Sequence, residues 1–173
     1  MLTFAIVNKV TMKCLIAIDR KQSTKVQVAL GVLLLVGGIS IYLLFRSTSI
    51  NLYHWFGATG ATGKLEILRQ ELSACELSDF VRFSLPDGLY CLSYILLMDV
   101  VWRKSGLLPR VLASSVIPVT AILHELLQAA GLAKGTFDWF DLLSYGLPWA
   151  AYLLISIITN NKTKEVFVWP KAI

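Results

Sequence analysis

Four long apolar stretches, separated by shorter polar segments, set the pattern of this chain at residues 26–45, 85–102, 107–130 and 139–159. An α-helix rises about 1.5 Å per residue, so each stretch is long enough to cross roughly 30 Å of membrane hydrocarbon. Continuous apolar runs of this length indicate transmembrane helices rather than strands. We therefore predict an all-α fold, a polytopic integral membrane helical bundle with about four crossings.

The composition agrees with a membrane protein and argues against an ordinary soluble domain. Of the 173 residues, 56% are hydrophobic and 16% are charged, and the mean hydropathy is +0.67. The three cysteines, Cys14, Cys75 and Cys91, have no paired spacing, so neither a disulfide nor a zinc ribbon is indicated. The predicted organisation is an N-terminal segment at 1–25, a bundle at 26–159 with a long loop at 46–84, and a tail at 160–173.

Lysine and arginine are distributed unevenly between the two sides of the predicted bundle. Eleven of the 16 precede the first stretch, lie between the second and third, or follow the fourth, and five lie on the other side. Basic residues concentrate in cytoplasmic segments, so both termini are predicted to be cytoplasmic and the loop at 46–84 to be outside. The net charge of +5 then reflects orientation, and we expect membrane lipids rather than nucleic acid as partners.

Polar side chains collect at the predicted outer ends of the last three crossings. In the third crossing, the polar and small residues share roughly 140° of arc when successive residues are placed about 100° apart. Because small and polar faces pack inward while aliphatic faces contact lipid, three such faces are expected to meet in one outward-facing pocket. The expected ligand-binding residues are Asp87, Glu125, Gln128, Asp138 and Asp141, with Tyr94, Tyr145 and Trp149 as walls.

Several roles are open for these polar residues. His124-Glu125-x-x-Gln128 lacks the second histidine of the zinc motif HExxH, so no metal and no cofactor is predicted. Helix capping is an alternative role for Asp87 and Asp138, because Ser-x-x-Asp with an early proline is typical of a helix start. Capping does not account for Glu125, which lies in the last turns of a helix, where the dipole disfavours negative charge. Ionisable groups in a crossing are usually functional or paired.

Two features lie outside this pocket. Asp99 is inside the second crossing, four residues before Arg103, and this spacing predicts a salt bridge within the helix. The segment 64–80 repeats apolar residues at helical spacing, which predicts an amphipathic helix. That helix either lies on the outer leaflet or packs onto the bundle.

Glu125-x-x-Gln128, followed by Gly135-Thr136-Phe137-Asp138-x-x-Asp141 and another apolar helix, resembles the VanZ-like family of small bacterial membrane proteins. In that family an aspartate opens one helix, a glutamate and a glutamine end the next, and an aspartate opens the last. Asp87, Glu125, Gln128 and Asp141 match those positions, and the resemblance covers about the C-terminal half of the chain. It implies a bacterial cytoplasmic membrane protein, and the family's best-known member is associated with resistance to the glycopeptide teicoplanin.

Three functions fit these observations. The preferred one is an envelope protein whose outer pocket binds a lipid-linked or peptide-like ligand or a membrane protein partner. The second is a membrane-embedded hydrolase or transferase acting on a lipid at the outer leaflet, with Glu125 as general base and His124 as proton partner or metal ligand. No nucleophile motif such as GxSxG accompanies that second arrangement. The third is a structural subunit of a larger membrane complex.

A membrane-impermeant thiol reagent tests the predicted orientation. Applied to intact spheroplasts, the reagent should modify Cys75 in the predicted outer loop and leave Cys14 in the predicted cytoplasmic segment unmodified. Single-cysteine variants separate the two signals, and Cys14 should become reactive once the membrane is permeabilised. Labelling of Cys14 in intact spheroplasts would show that the N-terminal segment lies outside.

Overall fold

The described part of the chain is almost entirely helical. The structure is a computed structural model that describes residues 2–48, 51–58, 60, 62–75 and 77–165, with side chains over 23–48, 53–55, 57–58, 60, 62–75 and 77–160. Its helices are α1 (Leu2–Phe45), α2 (Asn51–Gly57), α3 (Thr62–Glu71), α4 (Leu85–Val101), α5 (Leu107–Ala129) and α6 (Trp139–Glu165). No strand occurs within these ranges, and the predicted all-α bundle is confirmed. The side chain of Cys14 and the tail beyond residue 165 lie outside the described residues.

Four helical segments are long and apolar enough to cross a membrane, so the chain is a multi-pass membrane protein. They span Ser23–Phe45, Phe80–Val101, Leu107–Ala129 and Trp139–Asn160. The second begins five residues earlier than the sequence pattern predicts, because a π-helical turn, Phe80–Ser84, runs directly into α4. Large aliphatic side chains face outward along the segments, among them Leu33 and Leu108, as expected of surfaces in contact with lipid.

The helix start expected at Ser84 is not observed. Ser84 already has helical backbone angles and makes no side-chain capping hydrogen bond, because the π-helical turn precedes it. Pro86 lies in the first turn of α4, where its missing N–H removes no hydrogen bond that the α-helix itself would need. The capping role proposed for Asp87 is therefore wrong, and its carboxylate is available for contacts with other helices.

The helix α4 lies at the centre of the bundle, in contact with α1, α5 and α6. Small residues allow α1 to approach it closely. A Cβ atom on Gly31 would lie 3.0 Å from the Leu97 side chain, and one on Gly38 would lie 3.1 Å from the Pro86 carbonyl oxygen. The Ser93 hydroxyl donates a 2.7 Å hydrogen bond to the Gly31 carbonyl, which adds a polar contact to this interface.

A second close approach joins α4 to α6. A Cβ atom on Gly88 would lie 3.1 Å from the Ser144 Cβ and 3.2 Å from its carbonyl oxygen. Asp87 directly precedes this glycine, and Asp141 lies one turn before Ser144. The close contact therefore determines how near these two carboxylates can come.

Aromatic side chains attach the same two helices to α5 in the middle of the bundle. The Tyr94 hydroxyl donates to the Ala113 carbonyl at 2.8 Å, and the Trp149 indole N–H donates to the Ser115 hydroxyl at 2.8 Å. Both hydrogen bonds satisfy polar groups that would otherwise face hydrocarbon. They fix α5 beside the α4–α6 pair.

The amphipathic helix predicted at 64–80 is observed as α3, which ends earlier, at Glu71, and packs onto α1. Leu65 is buried against Leu43 and Tyr53. The Tyr53 hydroxyl donates to Glu66 at 3.2 Å, and the Arg69 guanidinium donates to the carbonyls of Leu43 and Arg46. Of the two predicted positions for this helix, the structure shows packing onto the bundle.

Candidate functional site

Polar side chains from four helices meet at the end of the bundle where α1 ends and α4 and α6 begin. We refer to them as the carboxylate cluster. Its members are Tyr42 and Arg46 at the end of α1, Asp87 on α4, Glu125 on α5, and Asp141 and Tyr145 on α6.

Asp87 is held by the end of α1. The Tyr42 hydroxyl donates a 2.6 Å hydrogen bond to one carboxylate oxygen of Asp87, and an Arg46 guanidinium nitrogen lies 4.0 Å from the other. Arg46 also donates to the Tyr42 hydroxyl at 3.0 Å, and its guanidinium lies 4.5 Å from the centre of the Tyr42 ring. The Arg46 cation and the Tyr42 hydroxyl therefore compensate the Asp87 carboxylate, and the Tyr145 hydroxyl on α6 also interacts with it.

The end of α1 that supplies these groups is fixed by arginines from the following loop. Arg69 donates to the Leu43 and Arg46 carbonyls, and Arg82 donates to the Phe45 carbonyl at 2.8 Å. The last carbonyls of a helix have no partner within the helix and carry partial negative charge, which guanidinium donors satisfy. Arg46 itself donates to the Phe83 carbonyl at 3.2 Å, which holds it beside α4.

Glu125 is positioned by the way α5 ends. Gly131 adopts a left-handed φ of 71°, its N–H bonds to the Gln128 carbonyl at 2.9 Å, and the Leu132 N–H bonds to the Leu127 carbonyl at 2.8 Å. This is the Schellman arrangement, in which a glycine reverses the chain at a helix end. The returning loop then brings the Asp138 N–H to 3.4 Å from a Glu125 carboxylate oxygen, and Glu125 is only 6% exposed.

Asp138 begins α6. One of its carboxylate oxygens accepts a 2.8 Å hydrogen bond from the Phe140 N–H, as the residue before a helix commonly does. The capping interpretation is confirmed for this aspartate. Its backbone, rather than its side chain, contacts Glu125.

Asp141 on α6 is the third carboxylate of the cluster. It interacts electrostatically with both Asp87 and Glu125. Its Oδ1 atom is buried and accepts no hydrogen bond from any residue that the structure describes. Tyr145, about one turn further along α6, is close enough to interact electrostatically with all three carboxylates.

Gln128 and His124 lie beside the cluster, where the loop after α5 returns. The Gln128 amide nitrogen is 3.0 Å from the His124 ring and 3.2 Å from the Lys134 carbonyl oxygen. The Gln128 amide oxygen is buried without a hydrogen-bond partner among the described residues. Gly135 has a φ of 124°, which residues with side chains rarely adopt, and a Cβ there would require the Gln128 amide to move.

Tyr94 and Trp149, expected as walls of the pocket, lie deeper in the bundle. They bond to Ala113 and Ser115, which are roughly 15–18 Å from Glu125 along α5. Tyr42 and Arg46, which sequence reasoning did not include, occupy the cluster instead. Their spacing in the sequence could have indicated them, because a tyrosine and an arginine four residues apart lie on one helical face at the end of the first crossing, level with Asp87.

The cluster's chemistry is that of hydrogen-bond acceptors. The cluster holds three carboxylates from three helices and one guanidinium, which pairs with Asp87, so acceptors exceed cationic donors among the described side chains. Within the described ranges, no group of three or more His, Cys, Asp or Glu side chains has a geometry that could hold a metal ion. Such a site can receive a hydrogen-bond donor or a cation, because that partner would compensate the buried acceptors.

Comparison with known proteins gives no family for the chain. No family model matches it, and no curated protein and no solved structure matches it either.

Replacing Tyr42 with phenylalanine tests the contact between α1 and α4. We expect Tyr42→Phe to lower the free energy of unfolding by roughly 1–3 kcal/mol, because the half-buried Asp87 carboxylate loses a hydrogen-bond donor. The measurement is equilibrium unfolding in detergent micelles titrated with sodium dodecyl sulfate. Tyr90→Phe is the matched control, since Tyr90 is on α4, one turn after Asp87, and is 48% exposed. Equal stability of the two variants would contradict the role assigned to Tyr42.

Proposed function

We propose that this chain is a VanZ-like integral membrane protein of the bacterial cell envelope whose carboxylate cluster binds a ligand from the outer side of the cytoplasmic membrane. The ligand is lipid-linked or peptide-like, or is a segment of a membrane protein partner. We further propose that binding contributes to resistance to the glycopeptide teicoplanin, as the family resemblance implies.

The observation that carries this proposal is the buried Asp141 oxygen that no described residue satisfies. Most buried polar atoms in folded proteins have a hydrogen-bond partner, and an unpaired acceptor is costly in a medium of low polarity. Asp141 also interacts electrostatically with two further carboxylates, Asp87 and Glu125, which adds to that cost. We infer that a bound group supplies the hydrogen-bond donor that the Asp141 oxygen lacks.

The charge balance of the cluster defines the ligand's chemistry. Arg46 pairs with Asp87, which leaves Asp141 and Glu125 without a cationic partner among the described side chains. An ammonium group or a set of amide N–H groups would supply both charge and donors to these acceptors. Peptide-like and amine-bearing lipid-linked molecules carry such groups.

The proposed orientation is supported by the distribution of charge between the two ends. Arg103 and Arg110 lie at the end of the bundle opposite the carboxylate cluster, and the first described crossing begins and α6 ends at that same end. Under the positive-inside rule that end is cytoplasmic and the carboxylate cluster faces outward. The proposed location is the bacterial cytoplasmic membrane, with both termini inside.

Teicoplanin susceptibility tests this proposal in a glycopeptide-susceptible bacterium that expresses the chain. The wild-type protein should raise the minimal inhibitory concentration of teicoplanin. Asp141→Asn and Glu125→Gln should return it to the level of the empty vector, because each removes a charged acceptor from the cluster while preserving the side-chain shape. Membrane levels of each variant are compared by immunoblotting of isolated membranes.

Asp79→Asn is the matched control, because Asp79 is an exposed aspartate at the same end of the bundle and caps no helix through its side chain. It should keep the full wild-type effect. Full resistance in Asp141→Asn would contradict the proposed site. An unchanged inhibitory concentration with wild-type protein in the membrane would contradict the resistance role.

A further inference from the structure

A second polar network lies at the opposite end of the bundle, around Asp99. One Asp99 carboxylate oxygen accepts hydrogen bonds from Gln27 at 3.0 Å and Arg103 at 3.4 Å, and the other accepts one from Tyr152 at 3.1 Å. The Arg103 contact confirms the salt bridge that the sequence spacing predicts. Arg110 on α5 adds a second cation, with its Nε 3.3 Å from Asp99.

Positive charge exceeds negative charge in this network. Among the described side chains, Asp99 is the one carboxylate that pairs with Arg103 and Arg110, so one positive charge is left over among these three residues. Arg103 is engaged with Thr24 and Gln27 as well as with Asp99. The Nε of Arg110 is buried and forms no well-directed hydrogen bond with a described residue, although it lies near Asp99. Arg110 is therefore the cation with donors to spare.

Two adjoining cavities meet at Arg110. The larger, of about 590 Å³, has polar groups at one end, including Asp99, Arg103 and Arg110, and apolar walls formed by Leu92, Leu96, Pro148, Ala151 and Ile155. The smaller, of about 250 Å³, is more polar and is lined by Ser105, Leu107, Arg110, Thr159 and Asn160. A single molecule with a polar head at Arg110 and an apolar body would match both cavities.

The beginning of α5 lies beside the smaller cavity, which Leu107 lines. Leu107 is the first residue of α5, Gly106 before it makes no side-chain capping hydrogen bond, and Pro109 has no N–H. The first N–H groups of a helix have no acceptor within the helix, and this end carries partial positive charge. Together with the Arg110 guanidinium, they form surroundings suited to a phosphate group.

We propose that these cavities bind an anionic phospholipid, with its phosphate at Arg110 and the start of α5 and an acyl chain against the apolar wall of the larger cavity. The excess positive charge selects the phosphate, and the continuous apolar wall selects a lipid over a free phosphate ion. The site is separate from the carboxylate cluster, and its occupancy does not depend on the function proposed for that cluster.

Binding to the purified, delipidated full-length chain in detergent tests this proposal by isothermal titration calorimetry. The probes are dioctanoyl phosphatidylglycerol, dioctanoyl phosphatidylcholine and inorganic phosphate. Phosphatidylglycerol should bind most tightly, because it combines net negative charge with acyl chains. Arg110→Gln should weaken its binding by roughly tenfold or more, as expected for loss of a charge-assisted hydrogen bond.

Lys104→Gln is the matched control, since Lys104 is an exposed cation in the same connection and lines neither cavity. It should change the affinity by less than about twofold, as expected for a screened surface charge. Ala151→Trp provides an independent test, because it fills the apolar wall without touching the ion pairs. It should weaken phosphatidylglycerol binding and leave the thermal stability of the protein intact.

Three results would overturn the proposal. Phosphatidylcholine binding as tightly as phosphatidylglycerol would remove the role of charge. Inorganic phosphate binding as tightly as the lipid, with no effect of Ala151→Trp, would identify free phosphate as the ligand. Equal weakening by Arg110→Gln and Lys104→Gln would indicate general surface attraction. If Arg110→Gln fails to fold, unchanged lipid affinity in Ala151→Trp is sufficient to reject the site.

Discussion

The close contact between α4 and α6 at Gly88 and Ser144 is the constraint on which the carboxylate cluster depends. A Cβ atom at Gly88 would be tightly crowded by Ser144, so α6 would have to shift by a few tenths of an ångström to admit it. Asp87 precedes this glycine and Asp141 lies one turn before Ser144, so this contact holds the two residues on neighbouring turns of packed helices, where their carboxylates interact electrostatically. The close packing of α4 and α6 therefore carries the electrostatic cost of holding acidic groups near each other in a membrane protein.

The two ends of the bundle respond differently to buried acidic groups. Asp99 is surrounded by donors, with two guanidiniums, an amide and a phenol around its carboxylate. Asp87 is compensated by Tyr42 and Arg46, whereas Asp141 keeps an oxygen that no described residue satisfies. One end has donors in excess and the other has acceptors in excess. This contrast supports a phosphate-bearing lipid at the first end and a donor-bearing ligand at the second.

Sequence reasoning predicted the features that depend on local pattern. The four crossings, the Asp99–Arg103 pair and the capping role of Asp138 follow from hydrophobic run length, helical spacing and helix-start chemistry, and each is observed. Angle counting also placed Asp87, Glu125, Asp141 and Tyr145 on inward faces. Each of these features depends on the spacing of residues within one helix, and that spacing can be read directly from the sequence.

Features that depend on how the helices pack against one another could not be predicted from residue spacing. Helical faces give the direction of a side chain and not its depth, so Tyr94 and Trp149 were placed with the carboxylates although they bond further along α5. Tyr42 and Arg46 were missed because the sequence places them at the same level as Asp87 but does not show that the end of α1 contacts the start of α4. The helix start expected at Ser84 failed because the π-helical turn before it is stabilised by its neighbours.

The central claim is that Asp87 and Asp141 share one electrostatic environment across the α4–α6 contact. A double-mutant cycle with Asp87→Asn and Asp141→Asn, measured by equilibrium unfolding in mixed micelles, tests it most directly. We predict that the two effects on the free energy of unfolding are non-additive by at least about 0.5 kcal/mol, as for residues in contact. Effects that add within about 0.3 kcal/mol, as for distant residues, would contradict the convergence of these helices on one site.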